Sequence, residues 1–190
     1  MKRLMDYFFC IFVLLFLLWL LPLIAISIKL NSPGPVFFSQ TRVGRNEKPF
    51  SCIKFRTMHV GTLNVGTHDV SSSSVTSIGR WLRATKVDEL PQVWNLVRGE
   101  MSLIGPRPNL PSQQDVIEAR RRHGVYQIMP GISGLAQIYK IDMSEPKALA
   151  RFDALYLRHQ NVCLDLFIAV KTLTGSGSGD RVRVPSLQGG

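Results

Sequence analysis

The sequence predicts an α+β protein: an N-terminal re-entrant membrane helix broken at Pro22, then a small, mostly helical domain with a short β-hairpin and surface amphipathic helices. Three observations carry that expectation. No charged side chain occurs between Tyr7 and Ile28. Two Phe-containing runs between Val36 and Phe55 flank a basic turn, as in a hairpin. Beyond Ile78 apolar residues recur at helical spacing in several separate segments.

The apolar segment, continuous from Cys10 to Leu21, has the length of a membrane candidate, about 20 residues. It is too long for the core of a cleaved leader, and it runs through Pro22 into Ile24–Ile28 without a small-residue cleavage site. A spanning helix satisfies the length but not the charges. Lys2 and Arg3 precede the segment; Lys29, Arg42, Arg45 and Lys48 follow it. Positive charge marks the cytoplasmic side, so both flanks claim the same face. Pro22 removes a backbone hydrogen bond and clashes with the preceding turn. A helix broken there can enter and leave by one face if the freed backbone groups find internal partners, and the re-entrant reading is preferred.

Asn31-Ser32-Pro33-Gly34-Pro35 ends the membrane segment, so the first unit is 1–30. Val36–Phe38 and Phe50–Phe55 read as strands around the turn Arg42–Lys48. Gly61–Ser77, rich in Ser, Gly and Thr, reads as a mobile surface loop. Helices are expected at Ile78–Arg83, at Glu89–Val97 with Leu90, Val93, Trp94 and Val97 inward, at Ser112–His123, at Pro146–Asn161, and at Leu164–Leu173 on a membrane surface. The second unit is therefore 31–174. The remainder, 175–190, begins Gly-Ser-Gly-Ser-Gly and is expected to be a disordered tail with the composition of an added linker.

The 23 Lys and Arg against 13 Asp and Glu leave a net charge of +10, which favours anionic partners. With an anchor in the same chain, phosphates and lipid headgroups are preferred to nucleic acid, for which no motif is present. Cys10, Cys52 and Cys163 are far apart and lack metal-ligand spacing, which argues against a disulfide framework or zinc site.

Thr85-Lys86-Val87-Asp88-Glu89-Leu90-Pro91 concentrates the chemistry. Pro91 is tolerated only in the first turn of a helix, so Thr85 or Asp88 is expected to cap it, with both acids at the helix N-terminus. Neighbouring helix positions diverge by about 100°, so the two carboxylates should face different partners. On this segment alone a capping carboxylate with a dipole partner is the favoured reading. Gly99–Pro108 ends in Gly-Pro-Arg-Pro, where Pro106 and Pro108 stiffen the chain around Arg107, an arginine suited to bidentate phosphate recognition or to pairing with a surface acid. Pro130-Gly131-Ile132-Ser133-Gly134 is a third constrained turn, and Lys54-Phe55-Arg56-Thr57-Met58 sets two cations beside the second strand.

Together, Lys54–Met58, Asp88-Glu89-Leu90, Gly99–Pro108, Pro130–Gln137 and the Asp153/Tyr156…Asp165 pattern resemble, in order, the bacterial sugar transferases, the small monotopic phosphoglycosyl transferases. The resemblance covers roughly residues 1–173. It implies a UDP-sugar donor, a polyprenyl (undecaprenyl) phosphate acceptor, Mg²⁺ and a covalent intermediate, at the cytoplasmic face of the bacterial inner membrane. It further implies Asp88 as nucleophile and metal ligand with Glu89 as its partner. Arg83, Arg107, Lys54, Arg56, Pro106, Pro108 and Gln137 fall at substrate-binding positions, and Pro22 at the membrane break. Leu21, Leu135 and Tyr139-Lys140 depart from the family's common Ser, Trp and Asn-Gly. Two alternatives remain: a metal-dependent enzyme without a covalent step, and a membrane-tethered basic module binding anionic lipid or nucleic acid without catalysis.

Overall fold

The computed structural model describes residues 2–62 and 74–174. It is mixed α+β, mostly helical, with two small sheets. Most of the Ser-rich segment and the tail from residue 175 lie outside the described residues, so the expectations of mobility and disorder there are not addressed.

Helix α1 spans Lys2–Asn31 with Pro22 inside it. The chain is helical on both sides of the proline. Ile24 and Ile28 are buried and join Cys52, Phe55, Leu82, Val93, Leu96 and Met101 in one core. Ile11, Leu15, Trp19, Leu23, Ile26 and Leu30 are exposed. Near the other end of α1, Asp6 accepts hydrogen bonds from the Ser102 hydroxyl (2.9 Å) and the Leu103 amide (2.9 Å). Among the residues whose side chains are described, no helix is long and apolar enough to cross a membrane.

The hairpin is longer than the sequence predicts. Strand β1 (Phe37–Val43) pairs antiparallel with β2 (Pro49–Phe55), from Phe37 opposite Phe55 to Val43 opposite Pro49. Arg42 therefore belongs to the strand, and the reversal is confined to Arg45–Glu47, where Asn46 and Glu47 take positive φ. Asn95, fully buried, meets the open edge of β2: its amide donates to Ser51 O (2.7 Å) and its carbonyl accepts from Ile53 N (3.1 Å).

Helix α2 (Ser77–Ala84) is capped by Thr76, whose hydroxyl accepts from Gly79 N. A Cβ at Gly79 would lie 2.1 Å from Thr57 O, so only glycine lets α2 sit this close to the chain leaving β2. The acidic segment is not the start of one α-helix, as expected, but a 3₁₀ turn, Val87–Gln92, leading into α3 (Val93–Val97). Neither Thr85 nor Asp88 caps it. Lys86 occupies that position in the left-handed region, without a side-chain cap, while the Thr85 hydroxyl bonds back to Trp81 and Leu82 carbonyls. A proline lacking N–H near the end of the turn, and a left-handed residue before it, suit tight i→i+3 bonding better than a regular first turn.

Beyond α3, strand β3 (Ser102–Ile104) pairs in parallel with β4 (Gly131–Ser133), a contact the sequence did not predict. A Cβ on Gly131 would lie 2.1 Å from Gly105 N, so the two constrained turns cross with backbone against backbone. Helices α4 (Gln114–Arg122), α5 (Leu135–Ile138), α6 (Pro146–His159) and α7 (Val162–Leu173) complete the domain. Lys140 takes φ +61, in the left-handed region. The second core gathers Ile104, Leu135, Ile138, Tyr156 and Ile168, and the Tyr156 hydroxyl donates to Asp165 (2.6 Å). Burial, reinforced by Asp165, raises the Tyr156 pKa well above the usual phenol range. Leu166, Phe167, Val170 and Leu173 leave one face of α7 apolar and exposed.

Candidate active site

The hairpin, the chain leaving it, α2 and the 3₁₀ turn enclose a cavity of about 260 Å³. Asp88, only 5 % exposed, lines it together with Arg42, Lys54, Arg56 and Arg83. The four cations in its lining make the cavity attractive to a phosphate. Glu89 faces another way, as the turn geometry requires. One of its oxygens accepts from Lys54 Nζ (2.9 Å) and from Arg107 Nη2 (2.7 Å).

Arg83 and Arg56 differ in what their guanidinium groups do. Arg83 Nε donates to the Thr57 hydroxyl (2.9 Å), while its Nη1 is buried with no hydrogen-bond partner among the described residues. An unsatisfied buried donor is costly unless a ligand answers it, and here it belongs to a side chain lining the cavity. Arg56 commits two nitrogens to the Pro33 and Ser32 carbonyls, clamping the chain where it leaves α1. It lines the cavity, but much of its donor capacity is structural.

Arg107 is held by its backbone. Its carbonyl accepts from Arg120 Nη1 (2.8 Å), the Pro108 carbonyl from Arg42 Nη1 (3.1 Å), and the Asn109 carbonyl from Val43 N (2.9 Å). Arg120 is itself buried and paired with Asp153 (2.8 Å). Desolvation pushes the Asp153 carboxyl up, opposed by that guanidinium. Three consecutive carbonyls are thus fixed from β1 and α4, which sets where the Arg107 side chain starts.

Of the residues predicted for the site, Asp88, Lys54, Arg56 and Arg83 line one cavity, and Glu89 and Arg107 connect to it through Lys54. Pro106 and Pro108 do not line it; they face a small void beside Arg120 and Tyr126. Gln137 sits on α5 and donates weakly to Ile132 O (3.4 Å), away from the cavity. Pro22, in α1, is not among the lining residues either. Sequence reading missed Gln40 and Arg42. Their signal was strand alternation, since Phe38, Gln40 and Arg42 share a face of β1 with Lys54 opposite Phe38. A larger cleft of about 630 Å³, between α4 and the start of α6, contains none of the predicted residues.

Among the described residues no three His, Cys, Asp or Glu side chains cluster as a ready metal cage. Asp88 in the cavity fits the other way of holding a hard cation such as Mg²⁺, with one or two carboxylates and the remaining oxygens from a phosphorylated substrate.

The profile of the bacterial sugar transferases matches residues 1–177. A UDP-glucose:undecaprenyl-phosphate glucose-1-phosphate transferase of Caulobacter vibrioides is 39 % identical over 165 residues, covering 81 % of this chain and 61 % of its own length. A UDP-N-acetylgalactosamine-undecaprenyl-phosphate N-acetylgalactosaminephosphotransferase of Aeromonas hydrophila is 37 % identical over 165 residues, 81 % of this chain and 39 % of that protein. The exopolysaccharide production protein PSS of Rhizobium leguminosarum bv. phaseoli is 36 % identical over 189 residues, 91 % of this chain and 93 % of its own. The chain thus spans less than two thirds of the first two relatives and nearly all of the third.

Proposed function

The chain belongs to the bacterial sugar transferase family, and from that premise we propose that it moves a sugar-1-phosphate from a UDP-sugar to undecaprenyl phosphate through a covalent intermediate on Asp88. The observation that carries this reading is the division of labour between adjacent carboxylates: Asp88 lines a cation-walled cavity while Glu89 is tied to Lys54 and Arg107. An Asp88 oxygen attacks the sugar-bearing phosphorus, the bond from that phosphorus to the bridging oxygen breaks, and UMP leaves with the electron pair. A phosphate oxygen of the polyprenyl acceptor then attacks the same phosphorus, the acyl-phosphate bond breaks, and Asp88 is again a carboxylate. Arg83, with its unanswered Nη1, and Lys54 offset negative charge on the phosphoryl oxygens. Arg107 orients Glu89 through its hydrogen bond of 2.7 Å. Mg²⁺, held by Asp88 and substrate oxygens, would neutralise charge on the pyrophosphate.

The relatives act, by name, on different sugars, so the sugar is assigned here only as a UDP-linked one. The enzyme would work at the cytoplasmic face of the inner membrane, with α1 entering and leaving by that face. Two observations support this topology. Ile28 and Asp6 both contact the same domain although 22 residues, about 33 Å of helix, separate them. A straight spanning helix would carry one of them across a hydrocarbon layer of about 30 Å. Apolar side chains also remain exposed along α1 and α7.

The experiment is release of UMP from a panel of UDP-sugars with undecaprenyl phosphate and Mg²⁺ in detergent micelles. One or more sugars should give stoichiometric UMP and a lipid-linked phosphosugar. Release of UDP in place of UMP would identify glycosyl transfer and overturn the reading.

A further inference from the structure

The cavity at Asp88 is graded in polarity. Its inner wall carries Arg42, Lys54, Arg83 and Asp88, whereas its exposed mouth is lined by Pro35, Phe37, Phe38 and Val60, with His59, Gly61 and Thr62 beside them. Phe37, Phe38 and Val60 are 44 %, 41 % and 66 % exposed. The gradient follows strand geometry: Phe38, Gln40 and Arg42 lie on one face of β1, so the apolar and cationic ends are about 13 Å apart. The mouth is also built rigidly. Phe37 stacks on the buried Phe55 with ring centroids 5.5 Å apart, and Gly34 leaves room for Val60, whose Cγ2 lies 2.6 Å from where a Cβ would sit. Arg56 clamps the Ser32 and Pro33 carbonyls, fixing the mouth to the end of α1.

A cationic interior opening through an aromatic and aliphatic mouth beside an apolar helix matches an amphiphile with one anionic end. We propose that Phe38 and Val60, with Phe37 behind them, hold the first isoprenoid units of the acceptor, so that its phosphate enters toward Arg83 and Asp88 from the α1 side. The assignment rests on the phosphoglycosyl transfer proposed above. A UDP-sugar fits the mouth less well, because its diphosphate and sugar are polar along their length and only the uracil face could use the apolar side chains. Phe38 and Val60 thereby set acceptor specificity and take no part in forming the Asp88 intermediate.

The full chain in micelles separates the two substrates. Exchange of labelled UMP into UDP-sugar without acceptor reports donor binding and the first displacement, and overall transfer reports the acceptor. In the Phe38→Ser/Val60→Ser double variant, exchange should stay within about twofold of wild type, while KM for undecaprenyl phosphate rises roughly tenfold or more from lost apolar burial. Phe38→Leu, which keeps an apolar side chain, should restore most of the acceptor affinity. An unchanged acceptor KM in the double variant would overturn the proposal. A parallel loss of exchange that Phe38→Leu also fails to restore would assign the mouth to the uridine and overturn it too. A wild-type chain that makes no lipid-linked product with any UDP-sugar is a different failure, and it would sink the transfer reading itself.

Discussion

Asp88 and Glu89 are chemically near-equivalent and adjacent, and their surroundings make them different. Asp88 is nearly buried in the wall of the cation-lined cavity, whereas Glu89, paired to Lys54 and Arg107, is a fixed counter-charge. Arg107→Lys keeps the charge but loses the planar fork, so kcat/KM should fall roughly tenfold or more, measured by UMP release. An unchanged rate would reduce Arg107 to a loop residue. Arg83→Gln removes the guanidinium whose Nη1 has no hydrogen-bond partner among the described residues and should raise KM for the UDP-sugar more than it lowers kcat. Arg107 stands out in the sequence because prolines flank it, whereas roles for Asp88, Glu89 and Arg83 follow only from the resemblance to the bacterial sugar transferases. Arg42 was not legible, because inside a strand its inward direction depends on a register that only pairing fixes.

At the level of elements, the site depends on joints that sequence periodicity does not announce. Asn95 reads as an ordinary helix residue, yet it satisfies Ser51 O and Ile53 N on the edge of β2 and so holds Lys54 against Glu89. Asn95→Leu should destabilise the protein by about 1–3 kcal/mol per stranded group, read as a lower urea midpoint with unchanged slope. Asp153→Asn should cost on the order of 3–5 kcal/mol, because Arg120 would keep a buried charge without its counter-ion. Glu118→Gln, which breaks the exposed pair with Arg122, should leave the midpoint unmoved. The helices at 77–84, 114–122, 146–159 and 162–173 were legible to within a few residues from their periodicity and flanking turn residues. The 3₁₀ turn and the parallel β3–β4 pair were not. The first requires the left-handed Lys86, and the second joins three-residue strands held by long-range contact.

For the whole molecule, α1 packs onto the elements that follow it: it contributes Ile24 and Ile28 to the first core, and Asp6 bonds to β3. With native cysteines replaced, cysteines introduced at positions 2 and 45 should therefore both react only with reagent on the cytoplasmic side. Periplasmic labelling at position 2 would mean a spanning helix, and the shared-face topology would fail while the chemistry could stand. That chemistry is tested most directly by incubating the chain with UDP-sugar labelled in the sugar-bearing phosphate, without acceptor, and mapping the label to a peptide. A phosphosugar adduct is expected on the peptide containing Asp88, discharged by adding undecaprenyl phosphate and absent in Asp88→Asn, which should still unfold in one cooperative transition. Full turnover by Asp88→Asn, or an adduct localised to Glu89, would contradict it.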